Sequence, residues 1–220
     1  MQAILGSGGA IGTPLASELT KFTTQVRLVS RNPRKVNAGD ELFPADLLDK
    51  AATIKAVKGS DVVYLTAGLS YDIRSWREKW PRIMQNTIDA CREHGSRLVF
   101  FDNVYMYDPA CMGNMTEDCK YNPVSKKGEV RKEIAEMLMN AVNSGEIKGL
   151  IARSADFYGP GIGQTSMLNE AVIKPLAAGK TANWMGNMKY KHSFTYTPDA
   201  AKATALLGNT DDAFGQVWHL

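Results

Sequence analysis

Apolar residues along the chain fall into short runs, separated by longer stretches in which they recur every three or four positions. The runs are rich in Val, Leu, Ile and Phe and mostly do not alternate with polar residues, as expected for strands that helices cover on both faces. They predict strands at Gln2–Leu5, Gln25–Ser30, Asp61–Thr66, Arg97–Asp102 and Gly149–Arg153, with a shorter one at Leu42–Phe43. This order predicts an α/β fold, in which a doubly wound parallel sheet carries helices on both faces.

Capping residues and glycines mark where the predicted helices begin and end. Thr13 is a candidate N-cap of the first helix and Pro14 suits its first position, so this helix is expected to end near Lys21. Three further helices each end close to a glycine, where a left-handed C-cap is typical; they are Asp49–Val57, Pro81–Glu93 and Lys127–Val142. Later in the chain, the pattern predicts helices at Ser166–Ala178 and Pro198–Leu207 and short extended segments at Ser193–Tyr196 and Gln216–Leu220.

The composition is that of an ordinary globular domain. The chain has 220 residues, of which 44% are hydrophobic and 22% are charged. A chain of this length can bury a core without the support of disulfides or metal ions. We expect one domain over residues 1–220, in which the part from about residue 160 onward contributes to a small substrate lobe.

Charge and cysteine content disfavour several classes of partner. The net charge of +3 comes from scattered cations without a basic block, so nucleic-acid binding is not expected. The three cysteines are an odd number without a Cys-x-x-Cys pair, and the three histidines lie far apart, which disfavours a disulfide framework and a metal site. No apolar run approaches the roughly 18 residues of a membrane-spanning helix, and no basic leader is present. We therefore expect a cytoplasmic protein with a small-molecule substrate and no metal.

A glycine-rich turn directly follows the first predicted strand and opens the first predicted helix. Its sequence is Gly6-Ser7-Gly8-Gly9-Ala10-Ile11-Gly12. A turn without bulky side chains lets backbone N–H groups and the positive end of a helix reach the oxygens of a pyrophosphate. Gly6 permits the sharp turn, and Gly12 permits the helix and the strand to pack closely. The sequence therefore predicts a dinucleotide-binding domain of the Rossmann type, with cofactor-binding residues Gly6, Gly8, Gly9, Ala10, Ile11 and Gly12.

The end of the second predicted strand indicates which dinucleotide is bound. A carboxylate there would bind the ribose 2′-hydroxyl of NAD, whereas cations would pair with the 2′-phosphate of NADP. From Leu19 to Gly39 the chain contains no Asp or Glu, and the strand ends in Ser30 and Arg31. We expect these two residues to favour NADP over NAD, while Arg34 and Lys35 belong to a solvated turn.

Several further segments resemble those of the extended short-chain dehydrogenase/reductases, the NAD-dependent epimerase/dehydratase family. Besides the glycine spacing, they are Pro44–Leu47, Asp61–Gly68, Arg153–Gly161 and His192–Ala201. The resemblance runs over almost the whole chain and is most specific at Arg-Ser-Ala-Asp-Phe-Tyr-Gly-Pro-Gly, residues 153–161. It implies further cofactor contacts near the adenine and the nicotinamide, from Asp46, Leu47, Ala67, Gly68, Ala155, Asp156 and Phe157.

The proton-transfer motif of that family is not intact in this chain. The resemblance implies a tyrosine four residues before a lysine on one helix face, where the lysine lowers the phenol pKa and holds the nicotinamide ribose. Aligning Ser125-Lys126 with the family's Ser-Lys keeps the lysine and puts Asn122 in place of the tyrosine. Aligning Gly128-Glu129 with the family's Gly-Glu keeps Tyr121 and loses the lysine. We favour the first alignment and expect Lys126 to bind the cofactor ribose.

Another candidate proton donor follows the strand predicted at Arg97–Asp102. Asn103 occupies the position of the family's catalytic Ser or Thr, and its amide can hydrogen-bond a substrate carbonyl. Tyr105, two residues further on, can reach the same pocket. The catalytic candidates are therefore Asn103, Tyr105, Tyr121 and Lys126.

Two functions are compatible with these features. The first is an NAD(P)-dependent oxidoreductase of the epimerase/dehydratase kind, which the resemblance implies acts on a sugar, nucleotide sugar or related carbonyl or alcohol. The second is a non-catalytic NADP(H)-binding sensor or scaffold protein, which the broken motif would allow. Trp76, Trp80 and Trp184 either line a substrate cleft or cover the core.

The resemblance also carries expectations about assembly and length. A homodimer through the helices at Pro81–Glu93 and Lys127–Val142 is typical of the family. Extended members continue into a C-terminal lobe that closes over the substrate, whereas this chain stops inside an apparent strand. We therefore expect either a truncated chain or an unusually open pocket.

Overall fold

A seven-stranded parallel sheet forms the centre of the computed structural model, which describes residues 1–184 and 186–220. Its strands are β1 (Gln2–Leu5), β2 (Val26–Ser30), β3 (Glu41–Pro44), β4 (Val62–Leu65), β5 (Arg97–Asp102), β6 (Gly149–Arg153) and β9 (Val217–His219). The remaining strands, β7 (Asp156–Tyr158) and β8 (Phe194–Tyr196), form a small parallel sheet of their own. The main sheet has the order β3-β2-β1-β4-β5-β6-β9, so the chain winds outward from β1 in both directions. The predicted doubly wound α/β fold is confirmed.

Helices cover both faces of the main sheet. They are α1 (Gly12–Leu19), α2 (Lys50–Val57), α3 (Ile73–His94), α4 (Lys126–Asn143) and α6 (Thr197–Gly208), whereas the short helix α5 (Lys174–Ala177) has no buried residues and lies in the segment between β7 and β8. One hydrophobic core lies under α2, α3 and α4, and a second lies under α1 and α6. The two cores lie on opposite faces of the sheet. Neighbouring residues of β5 point into different cores: Phe100 packs toward Trp80, and Phe101 packs toward Phe157.

The start of α1 differs from the prediction. The N-cap is Ile11, Thr13 lies inside the first turn, and no side chain caps this end, so the prediction of Thr13 as N-cap was wrong. Hydrogen bonding already begins within the glycine turn, where the backbone N–H of Thr13 donates to the carbonyl of Gly9 at 3.2 Å. The N-terminus of α1 therefore adjoins the glycine turn without a capping side chain.

The start of α3 also differs from the prediction. Asp72 caps the helix through its carboxylate, and Ile73 is the first helical residue, so the expectation of a helix beginning at Pro81 was wrong. Proline inside a helix costs a backbone hydrogen bond. Trp76 and Trp80, which precede Pro81 in the helix, are both buried against the sheet and offset that cost.

The segment after β6 departs most from the sequence pattern. β7 was not predicted because its residues are half-buried or exposed and form no apolar run. It pairs in parallel with β8, and Phe157 lies opposite Thr195. The helix predicted at Ser166–Ala178 is present with a different internal geometry: Met167 and Leu168 are α-helical, a π-helical turn runs from Asn169 to Ile173, and α5 continues it to Ala177. A two-stranded sheet is thereby placed beside the carboxyl end of β6.

Candidate functional site

The glycine turn lies at the carboxyl end of β1 and touches the end of β4. Gly6 has a φ of +94°, and a Cβ atom there would lie 2.3 Å from the Cα of Ala67, so a side chain at this position would collide with backbone. At Gly12, a Cβ would approach the Gly6 carbonyl to 3.1 Å. The hydroxyl of Ser7 is buried and has no hydrogen-bond partner among the described residues. A close-packed turn with an unpaired buried hydroxyl beside a helix N-terminus fits the phosphates of a dinucleotide.

A groove of about 500 Å³, here called the outer groove, runs from this turn across the ends of β2 and β3. Predicted cofactor residues from four segments line it, namely Gly6, Gly8, Gly9, Ser30, Arg31, Asp46, Leu47, Ala67 and Gly68. The topology explains why they meet, since parallel strands place their carboxyl ends along one edge of the sheet.

The residues expected to select NADP lie in the outer groove. Ser30 is half-buried and Arg31 is exposed, and both line the cavity. Neither Arg34 nor Lys35 lines it, and the Lys35 ammonium donates to the carbonyl of Ala38 at 2.8 Å. This arrangement fits the solvated turn expected for those two cations.

Helix α3 contributes groove residues that the sequence analysis missed. The hydroxyl of Ser75 is buried without a hydrogen-bond partner among the described residues, and Lys79 lies one turn further along the same side. They were missed because the helix was predicted to begin at Pro81. Recognising Asp72 as an N-cap would have placed both residues on the first turns of the helix.

A smaller cavity of about 250 Å³, the inner slot, lies on the other side of the glycine turn toward β5. The predicted residues that line it are Gly9, Ala10, Ile11, Ala67, Gly68, Asn103 and Phe157. Trp76 and Trp80 also line it while packing edge to face at 6.3 Å, so they belong both to the core and to the cavity wall. The Asn103 Oδ1 atom accepts from the backbone N–H of Tyr105 at 3.0 Å, which leaves its Nδ2 group to donate to a ligand.

Three buried charged residues form a cluster beside the inner slot. The Arg131 Nε donates to Asp102 Oδ1 at 2.7 Å, and its Nη2 donates to the same oxygen. The Arg153 Nε donates to Asp102 Oδ2 at 3.3 Å. Sequence analysis missed Arg131, because nothing in the local sequence distinguishes it from the other cations of α4.

Tyr105 and Lys126 meet in a third cavity, the side cleft, of about 620 Å³, which is also lined by Tyr71, Lys127 and Asp156. Burial raises the pKa of Tyr105 well above its usual value, and the nearby Tyr71 hydroxyl and Asp156 carboxylate raise it further. The phenol is therefore protonated at neutral pH and, without a bound ligand, is a weaker acid than a free tyrosine.

The other residues of the broken motif lie elsewhere. The Tyr121 ring packs against Tyr107 at 5.7 Å and lies 4.6 Å from the Arg153 guanidinium. The Asn122 Nδ2 donates to an Asp108 carboxylate oxygen at 3.0 Å. Neither Tyr121 nor Asn122 lines the inner slot or the side cleft. Tyr121, the one tyrosine of this segment, therefore does not share a cavity with Lys126.

The residues expected near the nicotinamide, Ala155, Asp156 and Phe157, do not line one common cavity. Phe157 lines the inner slot and Asp156 lines the side cleft, because neighbouring residues of β7 point to opposite sides. The backbone N–H of Ala155 donates to the Thr195 hydroxyl at 3.2 Å, and Ala155 lines none of the three cavities. The Asp156 carboxylate pairs at 2.8 Å with His192 Nε2, a partner that the sequence did not reveal.

Residues 1–184 and 186–220 contain neither a side-chain cluster that could hold a metal ion nor a helix that could span a membrane. No three His, Cys, Asp or Glu side chains lie together in a way that could hold a metal ion. None of the helices in this part of the chain combines the length and apolar character needed to cross a membrane. His219 packs its ring against Tyr107, with Nε2 at 2.6 Å from the phenol oxygen.

Comparison with known proteins decides the family. Residues 3–218 match the NAD dependent epimerase/dehydratase family. The chain belongs to this family. The resemblance drawn from the sequence is therefore confirmed, and the protein stands among enzymes that use a nicotinamide cofactor.

Individual members of the family are similar to this chain at low identity. A 3beta-hydroxysteroid-dehydrogenase/decarboxylase isoform 2 from Arabidopsis thaliana is 27% identical in an alignment of 172 residues that covers 74% of this chain. The chain spans only 30% of the length of that relative. The structure of MoeE5 in complex with UDP-glucose and NAD is 22% identical, with a TM-score of 0.84 over 100% of this chain and 75% of that one. UDP-glucuronic acid 4-epimerase from Bacillus cereus, in complex with NAD, is 20% identical, with a TM-score of 0.82 over 100% and 78%.

Proposed function

We propose that this epimerase/dehydratase family member binds a nicotinamide dinucleotide across its glycine turn, with the adenosine in the outer groove and the nicotinamide in the inner slot. The observation that carries the proposal is the continuity of the two cavities, which share Gly9 and residues 67–69. Gly6 and the N-terminus of α1 would hold the pyrophosphate. Asp46 and Leu47 would contact the adenine. When bound, the cofactor supplies the hydride chemistry.

Within this proposal NADP is favoured over NAD. Ser30 and Arg31 line the part of the outer groove at the end of β2, where the adenosine ribose of a dinucleotide lies in this fold. A guanidinium and a hydroxyl suit a phosphate. Among the described lining residues the only carboxylate is Asp46, which already accepts from the backbone N–H of Leu48 at 3.0 Å.

We further propose that the reaction is hydride transfer on a sugar, nucleotide sugar or related carbonyl or alcohol held between the inner slot and the side cleft. Tyr105 would donate the proton to the substrate oxygen, because it is the candidate tyrosine that lines the side cleft together with Lys126. The Asn103 amide would hydrogen-bond the same oxygen, and Lys126 would hold the ribose of the nicotinamide. This assignment rests on the meeting of Tyr105 and Lys126 in one cleft.

The names of similar proteins suggest two substrate classes, sugars and steroids. MoeE5 was solved with UDP-glucose, whereas the plant relative bears the name of a steroid dehydrogenase. We propose the sugar class for this chain, because the side cleft carries Lys127 in addition to the ribose-binding Lys126, and a cation suits the phosphates of a nucleotide sugar.

The proposal is tested by a turnover screen that follows both the absorbance of reduced nicotinamide and the chromatographic conversion of each substrate, since an epimerase or dehydratase returns the hydride within one turnover. The protein is incubated with NADP⁺ or NADPH and with nucleotide sugars, free sugars, 3-hydroxysteroids and small carbonyl compounds in separate arms. We expect turnover with a sugar or nucleotide sugar. Turnover confined to the steroid arm would overturn the substrate class while leaving the reaction type in place.

A second candidate is a sensor or scaffold that binds NADP(H) without turnover. The observation in its favour is the placement of Tyr121 and Asn122 outside the side cleft, which leaves Lys126 without the usual tyrosine. Tight binding of NADPH without turnover in any arm of the screen would select this candidate. Absence of nucleotide binding would reject both.

Three expectations of the sequence remain predictions. They are a single domain with a substrate lobe from about residue 160, a homodimer through α3 and α4, and a cytoplasmic location. Size-exclusion chromatography with light scattering would test the dimer directly.

A further inference from the structure

The buried cluster beside the inner slot carries an excess of positive charge. Asp102 and Arg153 have fully buried side chains, and the Arg131 side chain is 4% exposed. One carboxylate therefore faces two guanidinium groups, which leaves one uncompensated positive charge in a region where water screens poorly.

The surroundings of Arg153 favour its charged state, and Arg131 is stacked on an aromatic ring. Although burial alone would lower the pKa of Arg153, the Asp102 carboxylate and the Tyr121 and Tyr107 phenols raise it on balance. Arg131 lies over the Trp80 ring at 4.5 Å, and such a stack stabilises a cation without neutralising it. The Nη2 atom of Arg153 is buried and has no hydrogen-bond partner among the described residues.

No neighbouring acid offsets this charge inside the slot. Asp102 and Arg131 are the only charged side chains among the described residues that line it. The side cleft adds Lys126 and Lys127 against the single carboxylate of Asp156. Glu117 is exposed and accepts from the backbone N–H of His219 at 2.8 Å, so it lies toward β9 and away from the slot.

We propose that the surplus charge of Asp102, Arg131 and Arg153 makes the inner slot discriminate between the two redox states of the nicotinamide and favour the reduced one. This inference rests on the proposed placement of the cofactor. The oxidised ring carries a positive charge that the cluster repels, whereas the reduced ring has gained a hydride and is neutral. All other parts of the dinucleotide are identical in the two forms, so their contacts cancel in the comparison.

The proposal has a consequence for the reaction. When a substrate alcohol becomes a carbonyl, the hydride leaves carbon with its electron pair, the ring loses its positive charge, and the hydroxyl proton goes to a base or to water. Removing the ring charge beside the cluster is favourable. The equilibrium between bound species therefore shifts toward oxidised substrate and reduced cofactor, by the same factor that separates the two binding constants.

The test is the ratio of the dissociation constants of NADP⁺ and NADPH, measured by quenching of the intrinsic tryptophan fluorescence. For the unmodified protein we expect NADPH to bind at least about tenfold more tightly, which corresponds to ~1.4 kcal/mol. Arg131→Gln leaves Asp102 paired one to one with Arg153, and the ratio should fall toward one. Arg131→Lys keeps the charge and should keep the ratio, although both constants change through the altered packing.

Each outcome decides something different. Equal binding of the two forms by the unmodified protein overturns this inference but leaves the proposed function standing. A loss of affinity in Arg131→Gln that is the same for both forms would show that Arg131 acts only on structure, which also overturns it. Arg153→Gln provides an independent variant if Arg131→Gln does not fold, with the same expected fall in the ratio. Binding of neither nucleotide overturns the proposed function together with the inference.

Discussion

Short sequence motifs predicted both a cofactor-binding site, found as the outer groove, and a proton-transfer site in the segment Tyr121–Lys126. The predicted residues lie together in the outer groove, whereas Tyr121 and Lys126 do not line a common cavity. The groove is made largely by backbone, because Gly6 must adopt its positive φ and approach Ala67 wherever this strand, turn and helix follow one another. The segment depends on the direction of individual side chains, and its tyrosine instead packs against Tyr107 and Arg153. Local sequence is thus sufficient for a site made of backbone, whereas a site made of side chains depends on long-range contacts.

The largest expected effect concerns the side-chain network of the inner slot. Asp102→Asn leaves two buried guanidinium groups without a carboxylate, and we expect the free energy of unfolding to fall by about 3–5 kcal/mol. Urea denaturation followed by circular dichroism measures it. Asp108→Asn is the matched control, since Asp108 lies near the surface and its partner Asn122 is exposed, so its loss should be small. Similar stability of the two variants would show that the cluster contributes little.

The next effect decides which phenol belongs to the site. If Tyr105 donates the proton, Tyr105→Phe lowers kcat by about 100-fold or more, because general acid catalysis typically contributes this much. Tyr121→Phe is the matched control and should retain nearly the full rate, since Tyr121 lines neither the inner slot nor the side cleft. The rates are compared on the best substrate from the turnover screen. A large loss of rate in Tyr121→Phe with little loss in Tyr105→Phe would instead favour the second alignment, which keeps Tyr121 as the tyrosine of the motif.

A smaller effect tests the side chains of the outer groove. Arg31→Asp replaces a cation with an anion where the 2′-phosphate is proposed to bind, so preference should move from NADPH toward NADH by about tenfold or more. Fluorescence titrations of both nucleotides measure the change. Arg34→Asp is the control, because Arg34 does not line the groove. Unchanged selectivity in Arg31→Asp would place the phosphate elsewhere.

The smallest effect concerns the contacts that hold Tyr107 near Tyr121. Burial and the Arg153 charge lower the pKa of His219, so the folded protein favours the neutral ring, whose Nε2 lies beside the Tyr107 hydroxyl. The unfolded chain takes up a proton near the usual pKa of about 6.5, so stability should decline as the pH falls below that value. Thermal melts across this range measure it.

Two variants check the assignment of that decline. His219→Gln should weaken the decline, whereas His94→Gln should leave it unchanged, because His94 contacts the carbonyl of Ile54 on another part of the molecule. A decline of the same size in the His219 variant would assign it to other groups.

The accuracy of the fold prediction follows from burial. The observed bounds of β1, β5 and β6 agree with their prediction because strands covered on both faces leave continuous apolar runs. β7 left no such run, since its residues are half-buried or exposed and pair only with β8. The start of α3 was predicted too late in the chain because Pro81 suits the first turn of a helix. In the structure, burial of Trp76 and Trp80, which precede Pro81, stabilises the helix on the N-terminal side of the proline.

The sequence by itself determined the doubly wound α/β fold, the glycine turn and membership of the epimerase/dehydratase family, because each depends on short-range patterns of burial and backbone conformation. Tertiary structure alone decided that Arg131 meets Asp102 and Trp80, that Tyr105 shares a cleft with Lys126, and that Tyr121 does not. These contacts join residues from separate strands and helices. The distances between these residues, their burial and therefore their pKa values are set only when the fold brings those strands and helices together.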